Sequence, residues 1–308
     1  SAWQAFAVFF VLRSVFGLFG SASATATQAL VAGATEGGER TRTITMLAGA
    51  LSLGTIVGPA LAPFLLAPPL GVTGPMLGFA LLGLLAYAGA WTCLPRGRFV
   101  HVEASIAARA SSGPSVWQVW RQPRLFRPLT FGAVVASAQA INLYTIGFIL
   151  IDRVHEDGLH AQKLIGLTMT CAAVAALIAQ WGLARLLSLS PERMMLAGAI
   201  CAIGGNTLAA LVPDAWAGMA GFVLASLGYG LLRPGFSAAA SLAGTGEEQV
   251  AIASAVSLIA GASITLPPML GAALYRLWTP GPFVLSGAAI ALALVPFLLS
   301  HRIVHHGR

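Results

Sequence analysis

Residues Ala2–Ala34 read AWQAFAVFFVLRSVFGLFGSASATATQALVAGA, an apolar stretch whose one charge, Arg13, sits near its middle. No acidic residue lies within ten positions of that arginine on either side. A guanidinium keeps its proton, and placing one at bilayer mid-depth costs roughly 2.5–3.5 kcal/mol on insertion scales. Chains carry such a residue where it faces a water-filled cavity or a partner. At about 1.5 Å per residue, Arg13 lies about 15 Å below Trp3, hence at mid-depth. Two readings stand. Either it reaches a backbone carbonyl in a tight packing corner, or it faces a cavity and coordinates cargo or assists proton transfer.

The same pattern extends along the chain. Of 308 residues, 57% are hydrophobic and only 9% are charged, against about 25% charged in an ordinary globular domain. Apolar runs long enough to cross a hydrocarbon layer of about 30 Å occur near 5–32, 46–66, 75–94, 128–151, 162–187, 194–212, 215–241, 250–274 and 281–300. The expected fold is therefore an all-α integral membrane protein with nine transmembrane helices. Nine is odd, so the termini lie on opposite faces. The chain starts at Ser1 with neither a basic leader nor a cleavage signal, and sequence upstream of Ser1 is expected.

The formal net charge of +7 follows topology. With the carboxyl terminus in the cytoplasm, the inner loops hold twelve arginines, from Arg40 to Arg308, and the outer loops hold Arg153, Lys163 and Arg276. That bias sets orientation and argues against nucleic acid as a partner. Trp3, Trp91, Trp181, Trp216 and Trp278 fall at or near span ends, as interfacial belts require. Trp117 and Trp120 predict a short helix on the inner surface. Cys93, Cys171 and Cys201 fall in spans, without metal-ligand spacing, and read as packing residues.

The long polar stretch 95–127 divides the chain into residues 1–95, three helices of one bundle; 96–126, a cytoplasmic linker with an interfacial helix; and 127–308, a six-helix bundle. Phe10-Val11-Leu12 with Ser14 recurs about 210 residues on as Phe222-Val223-Leu224 with Ser226. Each leads into a small-residue helix, a loop with two acids, and a span containing proline (Pro59; Pro267-Pro268). Two equivalent six-span halves would then place three more spans before Ser1.

Polar residues inside spans are the candidate site. Gln139, Asn142 and Thr145 recur at three-residue steps and would share one face, either bonding a neighbouring helix or lining a path. Arg233 is flanked at helical spacing by Tyr229 and Phe236, and it either snorkels to the inner face or lines a cavity. Gln180 and Asn206 stand alone and read as interhelical bonds. Gly54 and Gly58, four apart, would let helices approach closely, and Pro59 would bend its helix. The functional consequence of that motif is indirect, through leakage and the direction of opening.

Three stretches resemble the major facilitator superfamily, most closely its drug–proton antiporter branch. They are Arg13-Ser14-Val15-Phe16-Gly17-Leu18-Phe19-Gly20-Ser21-Ala22, then Gly54-Thr55-Ile56-Val57-Gly58-Pro59-Ala60-Leu61-Ala62-Pro63, and a worn copy of a signature loop from Gly182-Leu183-Ala184-Arg185 to Arg193. In the second, Ala62 and Pro63 stand where the antiporters carry two glycines. The resemblance implies that the chain is helices four to twelve of twelve. It also implies cargo binding at mid-membrane between two bundles, and export by alternating access.

The expected function is secondary active transport, with proton-coupled efflux of small amphipathic drugs or metabolites. The expected wall comprises Arg13, Gln139, Asn142, Thr145, Tyr229 and Arg233. The alternatives are an uptake permease of the same fold, or a receptor or scaffold that transports nothing. All ten acids sit in loops or at span ends, whereas proton coupling calls for a titratable group within the membrane. That acid is expected upstream of Ser1, and residues 1–308 alone are expected not to couple. The six histidines are outside the spans, so no base reaches a buried serine and enzyme chemistry is not expected. No cofactor or metal is expected. The partners are cargo, protons and lipid, and the protein is expected to be a monomer. Sixteen arginines against one lysine suggest a GC-rich bacterial source and its cytoplasmic membrane.

Overall fold

A computed structural model describes residues 73–93, 114–154, 158–183, 189–245 and 248–305, with a few single residues among 1–65. Among them every regular element is helical. These are α1 (Gly74–Cys93), α2 (Val116–Arg121), α3 (Pro123–Arg153), α4 (Gly158–Leu177) continuing as a π-helical stretch (Ile178–Leu183), α5 (Pro191–Leu211), α6 (Ala215–Ala243), α7 (Gln249–Ser263), α8 (Pro267–Leu277) and α9 (Gly281–His305). Six stretches are long and apolar enough to cross a membrane: Gly74–Thr92, Pro123–Arg153, Ala161–Gln180, Pro191–Leu211, Ala215–Ala243 and Ala251–Leu277. Gly281–Phe297 is a shorter apolar helix. The protein is an all-α, multi-pass membrane protein. The expected spans 5–32 and 46–66, and the copy of the repeat at Phe10, lie almost wholly outside the described residues.

Local chemistry explains the boundaries. The Ser115 hydroxyl accepts from the Gln118 amide while Gln118 Oε1 accepts from the Ser115 amide, a reciprocal cap that starts the short helix carrying Trp117 and Trp120. Pro123 opens α3, because proline at a first turn forfeits no bond. Asp214 caps α6 by accepting from Ala217 N at 2.9 Å. The span expected at 250–274 is two helices, α7 and α8, with a turn at 264–266. Pro267 and Pro268 bring no N–H, so the ladder stops there. Thr265 N bonds Ala262 O at 3.2 Å, while the Thr265 hydroxyl takes Gly261 O.

The chain forms two compact units, Ser1–Gly54 with Phe79–Ser112, and Thr55–Gly78 with Gly113–Arg308. The second holds α2 to α9 and three buried clusters. Phe131, Met195, Tyr229, Leu232 and Ile290 centre one, Ile149, Leu150, Phe222 and Phe283 another, and Leu125, Leu129 and Ile252 the third. Trp91, Trp216 and Trp278 stand exposed at the ends of α1, α6 and α8, where amphipathic rings suit a headgroup layer.

Lipid gives helices no hydrophobic reason to associate, so close van der Waals fit must hold them together. α5 and α6 supply it. A Cβ added at Gly205 would lie 2.4 Å from the Gly221 carbonyl oxygen and from Ala225 N. One at Gly228 would lie 2.5 Å from the Gly198 carbonyl oxygen and from Ala202 N. At Gly230 of the same α6, the Ala176 carbonyl oxygen of α4 is 2.8 Å from that position. At Gly54 and Gly58 an added Cβ meets nothing within 4 Å. Among the described residues, the tightest backbone seam is on α5 and α6, which sequence reading did not single out.

Candidate functional site

One stripe of α3 faces the interior: Ala138, Asn142, Thr145 and Ile149, all nearly or fully buried, at the i, i+4, i+7 spacing of a helix face. Burying an amide there requires partners, and two neighbouring helices provide them. Asn142 Nδ2 donates to Asn206 Oδ1 of α5 at 2.6 Å and to the Tyr229 hydroxyl oxygen of α6 at 2.9 Å. Asn206 Nδ2 donates to Ala202 O of its own helix at 2.7 Å and to the same Tyr229 oxygen at 3.3 Å. Asn142 Oδ1 is buried without a hydrogen-bond partner among the described residues. α9 closes the fourth side: the Ser286 hydroxyl donates to Ala138 O at 3.4 Å, and Gly287 sits against the Asn206 Cβ.

Tyr229 is the central residue of the 29-residue α6, so this cluster lies deep in the bundle. Thr145 is equally buried but donates to Ile141 O of its own helix at 2.7 Å, beside Gly271 of α8. Gln139 is half-buried at the edge of the stripe. The three-residue steps thus yield two interior residues and one at the margin. Asn206 completes the cluster; a lone asparagine in an apolar helix was its signal, but its two partners follow only from packing.

Four residues after Tyr229, Arg233 is exposed. Pro234 follows it inside a continuous helix, and the missing proline N–H deprives Gly230 O of its helical donor. Gly230 packs on Ala176 and Ala179, where α4 passes into the π-helical stretch that carries Gln180. Irregular turns of this kind often mark functional positions. Arg13 and Pro59 lie outside the described residues.

Polar clusters pin the two ends of the bundle. At one end Arg153 Nη2 donates to Ala209 O at 2.8 Å and Nη1 to Asp214 O at 3.2 Å, while the Tyr275 hydroxyl donates to Asp152. At the other, Arg124 Nη2 bonds both Glu248 carboxylate oxygens at 2.9 Å, with Gln122 Nε2 at 2.7 Å and Thr245 N at 2.8 Å. The Thr245 amide, then the Gln122 side chain, and also the Thr245 hydroxyl and Arg124, hold Glu248 down to about 2 from its ordinary 4.5, although burial pushes the other way. The unfolded chain therefore takes up this proton more readily. The contribution of Glu248 to stability is complete above about pH 4.5 and lost as pH falls through about 2. Glu248→Gln is expected to lower the melting temperature at pH 7, with the gap from wild type closing over that window. A gap unchanged down to pH 2 refutes the assignment.

Residues 1–186 match the Major Facilitator Superfamily. The chain belongs to that superfamily. The match takes in α1 to α4, including Asn142, Thr145 and the π-helical stretch, while α5 to α9 lie beyond it. Its membrane helices and its family make this facilitator a secondary transporter. No curated protein matches the chain.

Proposed function

We propose that this facilitator exports small amphipathic drugs or metabolites across a bacterial cytoplasmic membrane by alternating access, coupled to inward proton flow, with its carboxyl terminus in the cytoplasm. Residues 1–95 belong to one bundle and 127–308 form the other. Arg13, Gln139 and Arg233 meet the cargo, with Asn142, Thr145 and Tyr229 behind them. Gly54, Gly58 and Pro59 shape the helix that governs opening. The observation that carries this reading is the polar cluster of Asn142, Asn206 and Tyr229 at the centre of apolar spans, with an unfilled acceptor at Asn142 Oδ1. Buried amides are costly in such surroundings, and polar groups inside spans mark the routes of cargo.

Counterflow tests the transport step without requiring a driving ion. Liposomes containing the protein are preloaded with 2-naphthoate or with 2-naphthylmethylammonium, and uptake of the same labelled solute is followed. Preloading with at least one of them is expected to accelerate uptake. Rates equal to those of protein-free liposomes for both overturn the carrier reading. For coupling, membrane vesicles from cells producing the native carrier are expected to stop export when the pH gradient is collapsed. Export indifferent to the gradient makes the protein a uniporter.

A further inference from the structure

We propose that the cargo is an amphipathic anion, an apolar body bearing an oxyanion such as a carboxylate, and that Arg233 supplies its counter-charge. This deepens the transport reading and rests on it.

The inference starts from where charge sits by depth. In the described spans every other charged side chain stands in the first two or last two turns, where it reaches water; Arg233 alone is further in, ten residues before Ala243. Two other arginines of the described helices are matched. Arg124 is neutralised by Glu248, and Arg153 is held by the carbonyl oxygens of Ala209 and Asp214. Arg233 has neither an ion pair nor a hydrogen bond among the described residues, and its side chain is exposed. A permanent cation turned toward hydrocarbon is strongly disfavoured, so this face of α6 meets water or a polar occupant.

The stripe that carries Arg233 is otherwise small. Ser226, Gly230 and Ser237 lie at i−7, i−3 and i+4, while the bulky neighbours at i−4 and i+3, Tyr229 and Phe236, are buried in the core. By sequence, Arg13 is a second cation in an apolar stretch without acids, and none of the ten acids lies in a span interior. Such a route repels a cationic cargo. A neutral one leaves the guanidinium uncompensated. A carboxylate completes it, because the planar fork of arginine matches two oxygens at once.

The test uses the protein in phosphatidylcholine nanodiscs and three probes that share one ring system: 2-naphthoate, 2-naphthylmethylammonium and 2-naphthalenemethanol. Equilibrium dialysis is expected to show saturable binding of naphthoate at least tenfold tighter than of the other two. Arg233→Gln is expected to weaken naphthoate at least tenfold and to leave the alcohol unchanged. Arg233→Lys keeps the charge without the fork and is expected to fall between. Unchanged melting temperatures show that both variants remain folded. If the ammonium or the alcohol binds as tightly as naphthoate, or if Arg233→Gln leaves naphthoate binding intact, the anion proposal is overturned while the carrier reading stands. Saturable binding of none of the three overturns the anion proposal, and counterflow then decides the carrier reading by itself.

Discussion

Gly205→Ala is expected to destabilise the bundle while Gly204→Ala, one residue away, does not. At Gly205 the new methyl would sit 2.4 Å from two backbone atoms of α6. Neither can rotate aside as a side chain would, so the helices must separate, and their attraction in lipid depends on that fit. Overpacking of this kind costs about 1–3 kcal/mol, more than the gain of about 1 kcal/mol from replacing glycine inside a helix. Gly205→Val adds bulk to the same clash and is expected to prevent assembly of α5 on α6. At Gly204 the nearest atom is the end of the Leu224 side chain at 4.0 Å, an ordinary contact, so only the helical gain remains. Thermal unfolding in detergent, read by the loss of the monodisperse species, separates the two. Equal melting temperatures for Gly204→Ala and Gly205→Ala would sink the seam.

The second large effect concerns the buried amides. Asn142→Leu strands Asn206 Oδ1 and withdraws a donor from the Tyr229 hydroxyl; Asn206→Leu leaves the Asn142 amide facing one partner in place of two. Each buried group left without its partner costs about 1–3 kcal/mol. With both leucines the loss is expected to be smaller than the sum of the single losses, because an unpaired amide no longer remains. Across transmembrane helices such couplings average about 0.6 kcal/mol and reach about 1.7 kcal/mol, and the 2.6 Å bond places this pair toward the upper end. Additive losses in the double-mutant cycle would show that the amides act independently. The transport reading adds a kinetic outcome: Asn142→Leu is expected to slow counterflow even where the protein stays folded.

These two sites differ in how far residue order reveals them. Asn142 and Thr145 announce themselves as polar residues at helical spacing in an apolar run, and Tyr229 as an aromatic one turn from an arginine. Asn206 reads from its surroundings as an interhelical bond, which it makes. The seam carries no such signal. Among 35 glycines, nothing local separates Gly205, pressed on a carbonyl oxygen, from Gly204, which is not. The end clusters were equally hidden, since Glu248 meets Arg124 across 124 residues. The break at 264–266 falls between: two adjacent prolines forecast irregularity in that span, but not that it would divide into α7 and α8.

Composition and periodicity alone determined that the chain is an all-α membrane protein, and that Arg233 stands in an apolar run without acids. These follow from local quantities, the transfer of side chains into hydrocarbon and the bonding of a backbone to itself. Tertiary structure decided which polar residue meets which, which glycines touch backbone, and that Tyr229 is sealed in while Arg233, four residues on, stays open. In lipid the partner of a buried group is chosen by shape at contact distance, and contact between helices depends on how every neighbouring side chain fits at once.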